Sequence, residues 1–332
     1  MLGRLFGRGA ERPAQRPYAL PVERKRWSKM YTLRALGDTR VLALTEAARA
    51  GDWSAVKVAL EPFDLGRDGH VLRELAAVDG VQEWIGQAVE KEEDTEHRAQ
   101  ALLISGARHI VWGWEARTAQ FASKVTREQW EVFFERLAIA EEHLLEATEV
   151  RVEWVAPWTE LLTLGRGASQ GAEVNEARLA GALHRDPFDV HTHLEWLYHL
   201  LPRWGGAPGE GLAFARQAVA RAPQGHSVGC VLALAYIQVW EDEDDVDCLE
   251  TPEIRAELRA AAGRSILHPS YEFRPGWQRE FNLFAMALSL AEERDTIRRV
   301  FHTLDGAYLA GPWRGLAKPE KMFARHQRRA RG

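Results

Sequence analysis

Apolar residues recur along this chain at the spacing of a helical face, and no stretch sustains the alternation of a half-buried strand. No Asn-Gly or Asp-Gly pair stands between two alternating runs, so no hairpin is expected. Helix punctuation is frequent instead. Asp38 is placed to cap a helix running to Ala50, Gly51 to end it, and Asp52 to cap the next, led by Trp53. Two helices joined by so short a turn form an αα-hairpin. A long helical stretch is expected from about Glu92 to Gln120. Another opens at Thr126, where Gln129 stands three residues on to complete a capping box. Thr251-Pro252 places proline at the first helical position, where its missing N–H is tolerated. Toward the far end a helix through Ala291 breaks at Arg294, and Asp295 opens a further one over Thr296–Leu304.

The strongest internal pattern is a repeat. Val190, Leu194, Leu197, Tyr198 and Leu201 define one face of a helix, and 38 residues on the same face reads Val228, Leu232, Ala235, Tyr236 and Val239. A proline break precedes each copy, at Asp186-Pro187 and Ala222-Pro223, and before the breaks Ala182-Leu183 matches Ala218-Val219. The unit is helix, turn, helix, loop. One such unit cannot bury its apolar face alone and must stack on neighbours.

This unit resembles tetratricopeptide-type repeats, although it is longer than theirs and lacks their full consensus. More narrowly, Pro202-Arg203-Trp204-Gly205-Gly206 followed by Leu212-Ala213-Phe214-Ala215-Arg216 resembles a bacterial family of tetratricopeptide-like proteins of unknown function, in which an Arg-Trp-Gly-Gly turn precedes a Phe-Ala-Arg helix. The likeness is specific over residues 173–240. It implies an all-α fold of αα-hairpins stacked as a solenoid, and no activity.

Glycine and charge divide the chain further. Gly165, Gly167 and Gly171 fall within seven residues and predict a linker over 165–171. It separates an N-terminal helical region, 22–164, from a C-terminal repeat region, 172–312. Residues 1–29 carry eight Lys/Arg against two Glu, and residues 314–331 carry seven against one, so each end is +6. With −5 overall, the body between them is −17. A basic, proline-interrupted tail is expected over 1–21, and a basic tail or helix over 313–332. Contact with nucleic acid or anionic lipid is expected only through these ends. No apolar run approaches the roughly 20 residues that span a bilayer. The start has no apolar signal core, and Cys230 and Cys248 are expected to stay reduced, so a cytoplasmic protein is the plain expectation.

Chemistry-bearing constellations are few. His191, Glu195 and His199 stand at i, i+4 and i+8, a row able to offer metal ligands, although zinc needs more from elsewhere. On the wheel the row flanks the Val190 stripe and faces partly outward, so a polar flank is expected and no metal or cofactor is assigned. The run Glu241–Asp247 fails as a calcium loop, because Val246 and Asp247 occupy positions that need an oxygen ligand and a glycine. Glu243-Asp244-x-x-Asp247 fits an acidic magnesium motif, but the second motif that would accompany it is missing. A solvated acidic loop able to draw a basic partner is expected. Most of the thirteen tryptophans are expected to wedge between helices; Trp196 lies away from the apolar stripe, and Arg203 is expected to stack on Trp204.

The function expected is protein or peptide binding without catalysis, with Trp196, Arg203, Trp204, Asp244 and Asp245 as contact candidates. The alternatives are a metal-dependent enzyme with a pocket in a helical domain, and an assembly protein that uses its basic ends.

Overall fold

Several helices begin at a side chain that accepts from the free N–H groups of the first turn. Asp38 accepts from Arg40 N and Asp52 from Ala55 N, and Gly51 (φ 72°) ends the first helix, as the hairpin pattern requires. Asp94 caps the long helix, Thr251 the helix entered through Pro252, and Thr126 with Gln129 forms the reciprocal capping box. One start differs. The carboxylate that caps the helix after Ala291 belongs to Glu293, which takes Thr296 N at 2.8 Å, while Asp295 sits in the first turn.

The computed structural model describes residues 28–118, 124–243 and 245–332, and over these the chain is all-α. The helices are α1 (Thr39–Ala50), α2 (Trp53–Leu60), α3 (Gly69–Ala76), α4 (Val81–Lys91), α5 (Thr95–Arg117), α6 (Arg127–Val150), α7 (Ala156–Gly167) and α8 (Ala172–Arg185). They continue as α9 (Val190–His199), α10 (Glu210–Arg221), α11 (Cys230–Asp242), α12 (Pro252–Arg264), α13 (Trp277–Leu290), α14 (Arg294–Leu304), α15 (Ala310–Trp313) and α16 (Pro319–Arg331). Among the described residues none is long and apolar enough to cross a membrane.

From α4 to α14 each helix packs on the next, and α5, α7, α9, α11 and α13 also pack each on the next of that set. The repeated stripe works as expected: Leu194 and Leu197 of α9 and Leu232 and Ala235 of α11 enter one core. The paired tyrosines part company. Tyr236 donates to Glu257 and accepts from Arg216, whereas Tyr198 turns toward α7 under the Arg166 guanidinium.

Apolar burial is split into two clusters. One gathers α1 to α7 around residues such as Leu72, Ile104 and Leu144; the other gathers α9 to α16 around Leu232, Phe284 and Phe301. Cys230 is buried in the second, and both cysteines are free thiols.

The chain start is clasped by its end. Tyr31-Thr32 pairs in parallel with Ala307-Tyr308, a two-residue ladder that no alternation announces. Ser28 donates to Asp305 through N (2.7 Å) and Oγ (3.0 Å). The basic end is a packed helix: Phe323 of α16 sits among Phe301, Tyr308 and Trp313, with Lys321, Arg325, Arg328 and Arg329 left outside. The basic tail expected over 1–21 lies outside the described residues.

The glycine-rich segment is not the linker expected over 165–171. α7 runs through Gly165 and Gly167, and α8 packs against it after a short turn. Gly165 is there for closeness: a Cβ would fall 1.9 Å from Asn175 Oδ1 of α8. Small residues let helices approach as readily as they break them.

Candidate functional site

Where the two apolar clusters meet, between α3 and α7 on one side and α9 and α13 on the other, the contact is polar and charged. Glu195 lies at its centre. Its side chain is 4% exposed and accepts from Arg73 Nη2 at 2.5 Å and from Arg166 Nη1 at 3.0 Å. Burial alone would raise its pKa, but the two guanidiniums outweigh that by charge and hydrogen bond and hold the carboxyl well below the usual range. Glu160 of α7 has the opposite fate. Burial pushes it up to about 7 against the pull of Arg73. Asp189 is raised to about 6 by burial and is used locally, capping α9 through Thr192 N (2.6 Å) and Oγ1 (2.7 Å). Thr192 also shares a 2.7 Å hydroxyl bond with Thr159 of α7.

Two histidines close one end of this seam. His70 of α3 meets His191 edge-on with centroids 4.1 Å apart, over Gly69, where a Cβ would fall 2.7 Å from the His191 ring. Burial is the main cause that lowers both pKa values, followed for His70 by the nearby arginines and for His191 by His70 and then the arginines, so both rings are neutral. Among the described residues, neither nitrogen of His191, nor Nε2 of His70, has a hydrogen-bond partner. From α13, Arg279 enters the same region, with Arg73, Tyr198 and Glu195 as electrostatic neighbours.

The His191–Glu195–His199 row is therefore interior, not the outward-facing flank expected. The apolar stripe of α9 faces α10 and α11, but α3 and α7 cover its other side, so His191 and Glu195 are buried and His199 is half-buried. The three side chains diverge in partner: His191 to His70, Glu195 to two arginines, and His199 Nε2–H to the Leu162 carbonyl at 2.8 Å. Among the described residues no three His, Cys, Asp or Glu side chains are grouped to hold a metal ion.

The remaining contact candidates sit elsewhere. Trp196 is half-buried and stacks on His199, centroids 5.3 Å apart. Arg203 does not stack on Trp204; it reaches across to Asp242 (3.2 Å) and Gln238, which joins the Arg-Trp-Gly-Gly turn to the start of the acidic run. Arg166 takes the expected place over Trp204, 5.6 Å from the ring centroid. Gly205 turns at φ 100°, and Gly206 passes so near Leu200 that a Cβ would fall 2.2 Å from its carbonyl oxygen. Asp245 is exposed and folds its carboxylate onto Asp247 N at 3.0 Å. Asp244 lies outside the described residues.

Trp204 belongs to a larger surface feature. At the edge where α5 and α7 end and α6 begins, Trp204 meets Trp114 edge-on (6.1 Å). Arg117 lies over both Trp114 and Trp130, and Trp130 stacks on Phe134 (5.5 Å). Arg166 touches both places, with its guanidinium over Tyr198 in the seam and over Trp204 at the edge.

Periodicity missed Arg73, Arg166, Arg279, Glu160 and His70. The signal available for Glu160 was a lone charge inside an apolar helical stretch, Ala156–Leu162. Gly167-Ala168-Ser169-Gln170-Gly171 has the Gly-x-Ser-x-Gly spacing of a nucleophile elbow. It lies on a helix–helix turn with no strand before it, and Ser169, although at φ 54°, is exposed without a histidine bonded to it.

No protein-family model and no curated protein matches the chain.

Proposed function

We propose that this chain is a non-catalytic binding protein, built of tetratricopeptide-like stacked αα-hairpins, that takes a protein or peptide segment at its Trp204 edge. The repeat in α9 and α11, and the way each of α5, α7, α9, α11 and α13 packs on the next, support the stacked architecture. The observation that carries the binding site is the exposed aromatic and arginine edge. Trp204 is 40% and Phe134 49% exposed, beside the partly covered Trp114, Trp130, Arg117 and Arg166. Tryptophan and arginine held rigid at a surface supply most of the energy of typical protein interfaces. Neighbouring rings and guanidiniums preorganise this edge, so little side-chain entropy is lost on binding. The partner is a segment that presents apolar or aromatic anchor side chains.

The test is selection from a random-peptide display library on the immobilised full chain, followed by anisotropy titration of the enriched peptides. Enrichment of sequences with shared aromatic anchors is expected, with affinity reduced at least about tenfold, about 1.4 kcal/mol, by Trp204→Ala. Far-UV circular dichroism checks that the variant is folded. Selection without enrichment, or peptides that bind the variant as tightly as the parent, would overturn the assignment.

A further inference from the structure

Away from the seam and the Trp204 edge, positive charge gathers at the C-terminal end of the fold. Residues 294–331 carry ten Lys/Arg against Asp295, Asp305 and Glu320, a net of +7, so the rest of the chain is −12. α14 and α16 pack antiparallel there. Phe323, early in α16, meets Phe301, late in α14, with centroids 5.2 Å apart, and Arg329 reaches back to Glu292, just before α14, at 3.7 Å. Each helix turns its apolar side inward: Ile297, Val300, Phe301 and Leu304 of α14 are buried, as is Phe323 of α16. The cations are left outside. Lys321, Arg325 and Arg328 recur at i, i+4 and i+7 along α16, and Arg294, Arg298 and Arg299 stand on the outer side of α14. All six are exposed, and none has a carboxylate within ion-pair distance among the described residues.

The start of the chain adds to this end. The Ser28 carbonyl accepts from Gln327 Nε2 and Arg331 Nη2 of α16, so the chain enters the fold at the basic helix. Residues 1–27, which lie outside the described residues, carry seven Lys/Arg against two Glu. Burial first, and then Arg329 and Arg325, push His326 of α16 down to about 4, as a surplus of positive charge requires. The chemistry of the face is narrow. No large apolar side chain is exposed on α14 or α16. A helix that lies in a membrane surface needs an apolar side to bury among the lipids, and here that side is already in the core. Single-strand sites stack bases on exposed rings, and this face carries no exposed Phe, Tyr or Trp. What it offers is guanidinium and ammonium donors, five of the six being arginine, whose planar fork matches phosphate.

We propose that the outer face of α14 and α16 binds a nucleic-acid duplex through its phosphate backbone, without reading its bases. A rigid helix pair presents the cations in two rows, and each phosphate they neutralise releases condensed counterions from the duplex. The acidic remainder of the chain repels the same polyanion, which confines the contact to this face. The face shares no residue with the Trp204 edge, so either assignment can fail alone.

The test uses the full chain in anisotropy titrations with a labelled DNA duplex of arbitrary sequence, the RNA duplex of the same sequence and one unpaired strand, in sodium chloride from about 50 to about 200 mM. At least one duplex is expected to bind saturably, with log K falling linearly against log salt at a slope of about −4 to −6. The tighter duplex identifies the nucleic acid, and the unpaired strand is expected to bind more weakly than it. The double variants Arg298→Gln/Arg299→Gln in α14 and Arg325→Gln/Arg328→Gln in α16 are each expected to weaken binding at least about fivefold and to reduce the slope by about 2. The exposed comparator Arg49→Gln/Arg221→Gln should stay within about twofold of the parent. Circular dichroism checks that each variant is folded. Vesicles of phosphatidylcholine and phosphatidylserine, at about 150 mM salt, form the membrane arm, and the protein is expected to remain in the supernatant. Absence of saturable binding to either duplex at the lowest salt overturns the proposal, as does an α14 variant that binds as the parent does. Tighter binding to the unpaired strand overturns duplex recognition, and pelleting with the vesicles without duplex binding assigns the face to anionic lipid instead.

Discussion

Replacing Glu195 by Gln keeps shape and volume and removes one charge from the middle of the molecule. The carboxylate it removes accepts from Arg73 at 2.5 Å and from Arg166 at 3.0 Å. The amide that replaces it turns a donor toward one of those guanidiniums. Neutralising one member of a buried ion pair is worth about 3–5 kcal/mol, because the remaining charge stays desolvated and unpaired. Arg73 is partly accessible, which moves the expectation to the lower end, about 3 kcal/mol. The assay is urea unfolding at pH 7, with Arg203→Gln as the exposed comparator. Both members of the Arg203–Asp242 pair are about two-fifths exposed, so that change should cost under about 1 kcal/mol. The pH dependence carries a sign. The folded-state pKa of Glu195 is depressed, so its contribution is complete above the usual glutamate value of about 4.3 and is lost as pH falls through the lower folded value. The gap between parent and variant should therefore stay level from pH 8 to pH 5 and close only in stronger acid. A loss at pH 7 no larger than that of Arg203→Gln would show that the seam is not held by this ion triad, and the reasoning would be refuted.

Glu160→Gln should act with the opposite sign. A carboxyl held at about 7 in the folded protein and near 4.5 unfolded costs up to about 3 kcal/mol once ionised, so the variant should be the more stable by that amount at pH 8 and by under about 1 kcal/mol at pH 5; urea midpoints at the two pH values check it, and a gap that does not change with pH argues against burial as the cause. Gly206→Ala drives a methyl against the Leu200 carbonyl and should cost about 3 kcal/mol. Gly263→Ala, in α12 with open space around it, should instead gain up to about 1 kcal/mol. Melting curves of the two variants run side by side suffice, and equal shifts would contradict the close approach at Gly206.

Local grammar alone carried much of the fold. Asp38, Gly51, Asp52, Thr126 with Gln129, and Thr251 act within four residues of themselves, so their roles do not depend on what packs nearby, and the structure reproduces them. The 38-residue repetition likewise placed the buried faces of α9 and α11, because an apolar stripe must go inward whatever it meets. Partner-dependent features were not legible. Glycine at 165 is as compatible with a linker as with a tight helix crossing, and the crossing exists because Asn175 of α8 lies against it. The His191–Glu195–His199 row resembles a solvated flank until α3, more than a hundred residues earlier in the chain, closes over it and supplies Arg73. Burial turns the same carboxylate from an ordinary surface charge into the centre of an ion triad. That change is a property of long-range neighbours, and only the tertiary structure could decide it.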